Sequence, residues 1–356
     1  MIARRFLASL FLLPALNAQE ATPVPTPSPT PQTLPSPTPA PSFVDWVNQL
    51  DDAQVQKAVE VIETQFHGAE ALDASSKMRA LLVGLDMRLD PGIRVGPTSK
   101  KSDESIQPFL VEILDGVAGY IRPGTLEQSE LSQMDAALEN FSGKQVPAVI
   151  LDLRALSSSD GMDSAAEFAR RFAPKGKILF TIENPSAKQE RILTSDKDPL
   201  FSGILLVLVD QDTAGAAEVL AATLRDNAQA MVVGMGTAGE AVEFSEFQLG
   251  GDKVLRVAIS KVVLPISGAI FPNGLTPDVE VGLDPEERDR IFELGKTGGV
   301  SRFVFDVERP RLNEAALVSK TNPEISTEEN AAEDNPKDYV LQRAVDLVTA
   351  IRFFKK

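Results

Sequence analysis

Cysteine is absent from this 356-residue chain and histidine occurs once, at His67, so the chemistry available to the protein is narrow. Without cysteine there is no thiol nucleophile, no thiolate zinc ligand and no disulfide. A single histidine excludes a His-cluster metal site and argues against a Ser-His-Asp triad. At the end of a predicted helix, His67 is expected to interact with the helix dipole rather than with a ligand. Any enzyme activity must therefore use serine, lysine or carboxylate side chains.

Alternating strands and helices begin near residue 115 and would supply the scaffold for such side chains. Short apolar runs are bounded by turns and followed by helical stretches, a pattern typical of strands covered on both faces. The sequence therefore predicts an α/β layered core over residues 115–320. Strands are predicted at 117–122, 146–153, 178–182, 204–209 and 230–233, helices at 126–141, 164–172 and 214–227, and one antiparallel strand at 254–264.

Three stretches of this core resemble, in the same order, motifs of the carboxyl-terminal processing (tail-specific) serine proteases. Residues 148–154 (AVILDLR) look like the strand before that family's Gly-rich turn, and residues 208–218 (LVDQDTAGAAE) resemble its nucleophile turn. Residues 274–279 (GLTPDV) match its Gly-Ile-Thr-Pro-Asp segment, and the final helix, from Asp338, also fits. The resemblance implies a ClpP/crotonase-like α/β core and acyl transfer by a serine whose base is a lysine.

Carried over one position at a time, the resemblance implies that the reactive side chains are missing. The nucleophile position falls on Gly215, which is followed by Ala216, and a second family serine falls on Ala217. The lysine position falls on Glu240. Glycine cannot form an acyl-enzyme, and loss of a nucleophile removes most of the rate enhancement of such enzymes. We therefore expect no intact catalytic set.

The remaining family positions are kept or remodelled. Asp226 corresponds to a supporting acid of the family. The Gly-rich turn that offers an oxyanion donor is replaced by residues 155–161 (ALSSSDG), which keep one glycine, Gly161. Only about 20 residues, 97–115, lie where the family usually carries a PDZ module, and a PDZ fold cannot fit there. Capture of a substrate tail by such a module is therefore not expected.

Three alternatives remain open at this point. A serine-type peptidase with a relocated nucleophile is one, although none of the nearby turn serines precedes a small-residue helix start, and Lys261 is the lysine nearest to them in sequence. Asp226 and Glu240 as a hydrolytic carboxylate pair are disfavoured, because their spacing is that of the protease pattern. A small acyl ligand in the core is the third. The turn serines are Ser157, Ser158, Ser159 and Ser267.

The pattern of the N-terminal residues predicts that the protein is exported from the cytoplasm. Residues 1–18 read as a signal peptide with Arg4 and Arg5, an apolar run at 6–13 and cleavage after Ala18. Residues 19–42 form a Pro/Thr-rich linker with nine prolines, which would be an extended, semi-rigid spacer. The folded part is therefore predicted to be secreted or periplasmic, in the cell envelope.

The other predicted regions are helical or acidic. Residues 43–114 read as a helical region, with one helix capped by Asp51 or Asp52 and a second after Asp73. Residues 321–337 form an acidic loop, and residues 338–356 a C-terminal helix that packs on the core. The first helix has Val55, Val59 and Ile62 on one face, and the second has Met78, Leu81, Leu82 and Leu85.

Charge narrows the choice of partner. The formal net charge of −16 repels phosphate backbones, so nucleic acid is not expected, and no apolar run of 18 residues predicts a membrane span. No cofactor or metal is predicted. The sequence thus predicts a tail-specific peptidase homologue without activity, a pseudoenzyme that binds or scaffolds a polypeptide or a partner protease. A homo-oligomer is left open.

Overall fold

The computed structural model describes residues 47–65, 73–97, 107–158, 161–304 and 336–354. The signal peptide, the linker, His67 and most of the acidic loop lie outside these residues. The chain divides into two compact units, Met1–Asp73 and Ala74–Lys356. None of the helices within the described ranges is both long and apolar enough to cross a membrane.

In the first unit the described residues form helix α1 (Asp52–Gln65). Asp51 accepts a hydrogen bond from the backbone N–H of Gln54 at 2.8 Å, and the Gln54 side chain accepts one from the N–H of Asp51 at 2.9 Å. This reciprocal pair is a capping box, which fixes where the helix begins. No residue of α1 is buried.

The second unit alternates strands and helices. In chain order its elements are α2 (Ala74–Leu89), β1 (Ile93–Pro97), β2 (Leu110–Leu114), β3 (Ala118–Arg122), α3 (Gln128–Gly143), β4 (Ala148–Asp152), β5 (Ser157–Ser158), α4 (Met162–Ala169), β6 (Ile178–Asn184), β7 (Gln189–Thr194), β8 (Ile204–Val209), β9 (Ala214–Gly215), α5 (Ala216–Ala228), β10 (Met231–Gly234), β11 (Phe244–Gly250), β12 (Lys253–Ala258), β13 (Lys261–Leu264), β14 (Gly268–Ala269), β15 (Val279–Glu280), α6 (Pro285–Gly298), a 3-10 turn (Ser301–Phe303) and α7 (Tyr339–Phe354).

A six-stranded sheet lies at the centre, in the order β15-β10-β8-β4-β3-β2. Five of its strands run parallel, and β2 pairs antiparallel to β3 at one edge. Helices α3, α4 and α5 pack on one face of the sheet, and α6 and α7 pack on the other. Strands buried on both faces need apolar side chains at every position, which is why β4 and β8 are nearly continuous apolar runs. The predicted α/β layered core is confirmed.

Two sequence predictions of secondary structure are wrong. The alternating stretch 254–264 is not one strand, because it is interrupted at Ile259–Ser260 and its halves enter different sheets. Strand β12 joins β1 and β11, whereas β13 joins β14, β6 and β7. The region 43–114 is not wholly helical, because β1 pairs with β12 and β2 joins the central sheet. Pairing with strands distant in sequence decides both cases.

A buried ionic network holds the C-terminal helix to the sheet. Arg154 donates to Asp152 at 2.8 and 2.6 Å and to Asp338, just before α7, at 2.9 and 2.8 Å. Tyr120 donates to Asp152 at 2.7 Å. All four side chains are buried. Burial opposes the charged form of Arg154, but the two aspartates raise its pKa well above the usual value. Both buried carboxylates are thus paired, as buried charges must be.

Candidate functional site

The turn at Gly215 connects the end of β8, in the middle of the sheet, to helix α5. Gly215 has φ 62° and ψ −124°, a backbone conformation that a residue with a side chain adopts only under strain. The next two residues, Ala216 and Ala217, are fully buried, so the first turn of α5 lies close against its neighbours. The chain therefore keeps a sharp strand-to-helix turn at the position that the resemblance assigns to a nucleophile.

Glu218, the third residue of α5, is the buried charged group at this turn. Its Oε1 accepts hydrogen bonds from the Thr237 hydroxyl at 2.5 Å and from the N–H of Gly239 at 2.8 Å. Its Oε2 accepts from the N–H of Glu240 at 2.7 Å and from that of Gly215 at 3.1 Å. One carboxylate thus joins the Gly215 turn to the 237–240 segment.

The electrostatics of Glu218 follow from its burial. Desolvation raises the pKa of the carboxyl, and the four hydrogen bonds lower it by less, so the net shift is upward. A carboxylate at a helix N-terminus also meets the positive end of the helix dipole. Because its hydrogen bonds already occupy both oxygens, Glu218 acts here as a structural link.

The Gly274–Asp278 motif reaches the same place through Thr237. The N–H of Leu275 donates to the Thr237 hydroxyl oxygen at 2.7 Å, and the N–H of Thr237 donates to the Leu275 carbonyl at 3.2 Å. A side chain at Gly239 would stand 2.0 Å from the Pro272 carbonyl oxygen, so only glycine fits there. The motifs around 208–218 and 274–279, far apart in sequence, therefore meet at one end of α5.

The side chain of Glu240 points to a different partner. Its carboxylate forms an ion pair with Arg256 of β12 at 3.3 Å, and the Arg256 guanidinium lies 3.7 Å from the centre of the Phe244 ring. Only the backbone N–H of Glu240 bonds to Glu218. At the position that the resemblance assigns to a lysine base, the chain thus has a carboxylate paired with an arginine.

The serine-rich turn lies along the Gly215 turn. Strand β5 pairs in parallel with β9, which sets Ser157 opposite Ala214 and Ser158 opposite Gly215. The N–H of Ala214 donates to the Leu156 carbonyl at 3.1 Å. This pairing places the backbone of Ser158 beside Gly215, the position that the resemblance assigns to the nucleophile. The relocated-nucleophile alternative therefore rests on this turn.

Gly161 and Asp226 have other positions. Gly161 precedes α4 with φ −62° and ψ 157°, a conformation that any residue can adopt. Asp226 lies eleven residues after Gly215 on α5, about 16 Å along the helix axis. It accepts hydrogen bonds from the Ser267 hydroxyl at 2.6 Å and from the N–H groups of Ser267 and Ile266 at 2.8 and 2.9 Å. The structure thus brings Gly215 and Glu240 together and leaves Asp226 at the other end of the helix.

The Ser267 hydroxyl donates to Asp226 and accepts from the Arg225 guanidinium at 2.9 Å. Lys261, the lysine nearest to it in sequence, forms an ion pair with Glu183 at 2.8 Å. Sequence reasoning quoted Glu218 within the motif but gave it no role. A glutamate at the third position of a helix is half of a capping box, and that signal could have assigned Glu218 to the head of α5.

Within the described residues no group of three or more acidic or histidine side chains is arranged to hold a metal ion.

The region that carries these motifs is similar to known peptidases. Residues 117–281 match peptidase family S41. The chain is 32% identical over 160 residues to carboxyl-terminal-processing peptidase 2 of Arabidopsis thaliana chloroplasts, covering 45% of this chain and 31% of the relative. It is 30% identical over 179 residues to the carboxyl-terminal-processing protease of Synechocystis, covering 49% and 41%.

Among solved structures, the photosystem II D1 C-terminal processing protease aligns with a TM-score of 0.40 and 27% identity, over 48% of this chain and 43% of that one. Residues 117–281 are therefore similar to peptidase family S41, and the resemblance to carboxyl-terminal processing proteases is confirmed. The chain spans between about a third and two fifths of the length of the curated relatives named above.

Proposed function

We propose that this chain is a catalytically inactive member of the S41 peptidase family that binds or scaffolds polypeptides, or a partner protease, in the cell envelope. The observation that carries the proposal is Gly215 at the head of α5, where a nucleophilic side chain would have to stand. The ion pair between Glu240 and Arg256 supports it, because an acidic side chain held by a guanidinium stands where the resemblance places a lysine base.

Purified mature protein incubated with an unfolded, fluorescently labelled polypeptide tests this proposal. We expect binding, measured by fluorescence anisotropy, and no new peptide termini by mass spectrometry. Turnover that a single substitution such as Ser158→Ala abolishes would instead identify a working nucleophile. Turnover that survives every serine substitution would indicate a contaminating protease.

The second candidate is an active serine-type peptidase with a relocated nucleophile. The pairing of Ser158 with Gly215 favours it, since the backbone of a serine then lies beside the position that the resemblance assigns to the nucleophile. Labelling by a fluorophosphonate probe discriminates the two. An active enzyme should label, and Ser157→Ala or Ser158→Ala should remove the label. Ser132→Ala, on the exposed side of α3, is the matched control. The proposed inactive protein should not label in any form.

The proposed export of the chain has its own test. Expression of the full chain in a bacterial host, followed by fractionation and N-terminal sequencing, should recover protein that begins near residue 19 outside the cytoplasm. Substituting Arg4 and Arg5 by glutamate should slow processing, because the basic n-region orients the signal during export. Unprocessed, cytoplasmic protein would contradict this part of the proposal.

A further inference from the structure

A cavity of about 390 Å³ lies at the end of α5 opposite the Gly215 turn. It is lined by the last turn of α5, by the segment that follows α4 and by the residues at the start of β8. Its volume is in the range of small-molecule sites, about 300–1,000 Å³. No residue of the Gly215 turn lines it. The cavity is therefore separate from that turn and has the size for a small ligand.

The floor of the cavity is apolar. Phe172 and Phe201 are only 3% and 9% exposed, and their rings meet edge to face with centres 6.4 Å apart. Leu205, in β8, is also buried and also lines the cavity. Aromatic and aliphatic side chains in a concave site hold the apolar part of a ligand. We therefore expect the ligand to carry a large apolar group.

Two of the lining residues are charged, and their signs are opposite: Lys177 is basic and Asp226 is acidic. The Lys177 side chain is exposed, and in the part of the chain that the structure describes no acidic side chain pairs with its ammonium group. An ammonium group of this kind can bind a carboxylate of a ligand.

The α5 side of the cavity has the opposite preference. The last turn of a helix leaves carbonyl groups without intrahelical partners and forms the negative end of the helix dipole. Asp226 adds a carboxylate, which can accept about four hydrogen bonds. It accepts three, from the Ser267 hydroxyl and from the N–H groups of Ser267 and Ile266. This side of the cavity therefore favours a cationic group that donates hydrogen bonds.

We infer that the cavity binds a free α-amino acid with a large apolar side chain. Its carboxylate pairs with Lys177, its ammonium group faces the last turn of α5, and its side chain contacts Phe172 and Phe201. Either end of a polypeptide carries only one of these two charges and would leave one side of the cavity without a complement. The inference does not depend on the proposed function, because the Gly215 turn takes no part in it.

Isothermal titration calorimetry of the mature chain with L-phenylalanine tests the ligand class. L-phenylalanine should bind with a dissociation constant below about 1 mM, and weaker binding would overturn the inference. N-acetyl-L-phenylalanine, which lacks the ammonium group, and L-phenylalaninamide, which lacks the carboxylate, should each bind at least about tenfold more weakly. Equal binding of N-acetyl-L-phenylalanine would overturn the inference and would identify the carboxyl end of a polypeptide as the ligand.

Glycine tests the apolar floor without any change to the protein. It carries both charges and no side chain, so it should bind at least about tenfold more weakly than L-phenylalanine. Equal binding of the two amino acids would overturn the role of Phe172 and Phe201.

Substitution of Lys177 tests the location of the site. Lys177→Met should weaken the binding of L-phenylalanine about tenfold and leave that of L-phenylalaninamide unchanged, because the amide has no carboxylate to lose a partner. Lys253→Met, at an exposed lysine on β12 that does not line the cavity, is the matched control and should change neither. The urea midpoint should be the same in both variants, since both side chains are exposed. L-phenylalanine binding that Lys177→Met does not weaken would overturn the assignment of the ligand to this cavity.

Discussion

Helices α2 and α5 are both rich in apolar residues, yet they have opposite surroundings. Nine of the thirteen residues of α5 are buried, whereas none of the sixteen residues of α2 is. Helix α5 follows a strand of the central sheet and packs on its face. Helix α2 precedes β1, a strand of the small sheet formed with β11 and β12. Apolar composition alone therefore does not distinguish a buried helix from an exposed one, whereas the place of the helix in the topology does.

The largest expected difference between the packed core and the exposed helices comes from ion pairs. Asp338→Ala removes one partner of the buried Arg154 and should lower the free energy of unfolding by about 3–5 kcal/mol. Glu60→Ala breaks the exposed α1 pair with Lys57, at 3.1 Å, and should cost no more than about 0.5 kcal/mol. Urea denaturation followed by circular dichroism measures both. Equal effects would contradict the division of the chain into a packed core and exposed helices.

Truncated leucines should separate the regions almost as clearly. Leu220→Ala, in the buried face of α5, leaves a cavity and should cost about 3 kcal/mol. Leu81→Ala in α2 should change the stability of the monomeric chain by less than about 0.5 kcal/mol, because its side chain is exposed. Equal costs for the two substitutions would contradict the exposure of the Leu81 side chain.

Glycine substitutions should act in opposite directions. Gly215→Ala puts a side chain on a backbone with φ 62° and should destabilise the chain by about 1–3 kcal/mol. Gly84→Ala, inside α2, meets no atom within 4 Å and should stabilise that helix by about 0.5–1 kcal/mol. The gain at position 84 should appear as added helicity in circular dichroism. A stabilising Gly215→Ala would show that the turn is relaxed.

The smallest effect that we expect concerns pH, and its direction is what matters. Burial raises the pKa of Glu218, so the folded state holds this proton more tightly than the unfolded state. Its contribution to stability is then complete below the unfolded pKa and is lost as pH rises through the folded pKa. Relative to Glu218→Gln, the wild type should therefore lose stability as pH rises from the ordinary carboxyl range. A difference that is constant with pH would contradict the shift.

Asp152 supplies the opposite sign within the same core. Burial acts to raise its pKa, but Arg154, together with the Tyr120 hydrogen bond, lowers the pKa overall. Its contribution is present above the unfolded pKa and is lost as pH falls through the folded value. Wild-type protein should therefore lose this part of its stability at acid pH. In Arg154→Met that acid dependence should be weaker.

The sequence predicts the layers of the core well, because strands such as β4 and β8 are apolar runs with few other interpretations. It predicts pairing poorly. Neither glycine nor proline occurs at Ile259–Ser260, so the sequence does not mark the interruption between β12 and β13. The Ser260 hydroxyl oxygen accepts a hydrogen bond from the N–H of Glu243 at 3.1 Å, a contact that only the folded chain brings about. The sequence also assigns Asp226 and Gly215 to one site, whereas the length of α5 keeps the two residues apart. The signal peptide and linker remain predictions from residues outside the described ranges.

The backbone at Gly215 makes the proposed loss of activity a one-way step in evolution. Where a turn holds an L-residue in a strained conformation, replacement by glycine releases the strain, so the inactivating substitution is favourable for folding. Return to a hydroxyl-bearing residue would restore the strain and would bring no activity until Glu240 also became a basic residue. Each single reversal is therefore costly or useless on its own. If a binding role is enough for selection, the glycine at this turn makes recovery of activity by single substitutions unfavourable.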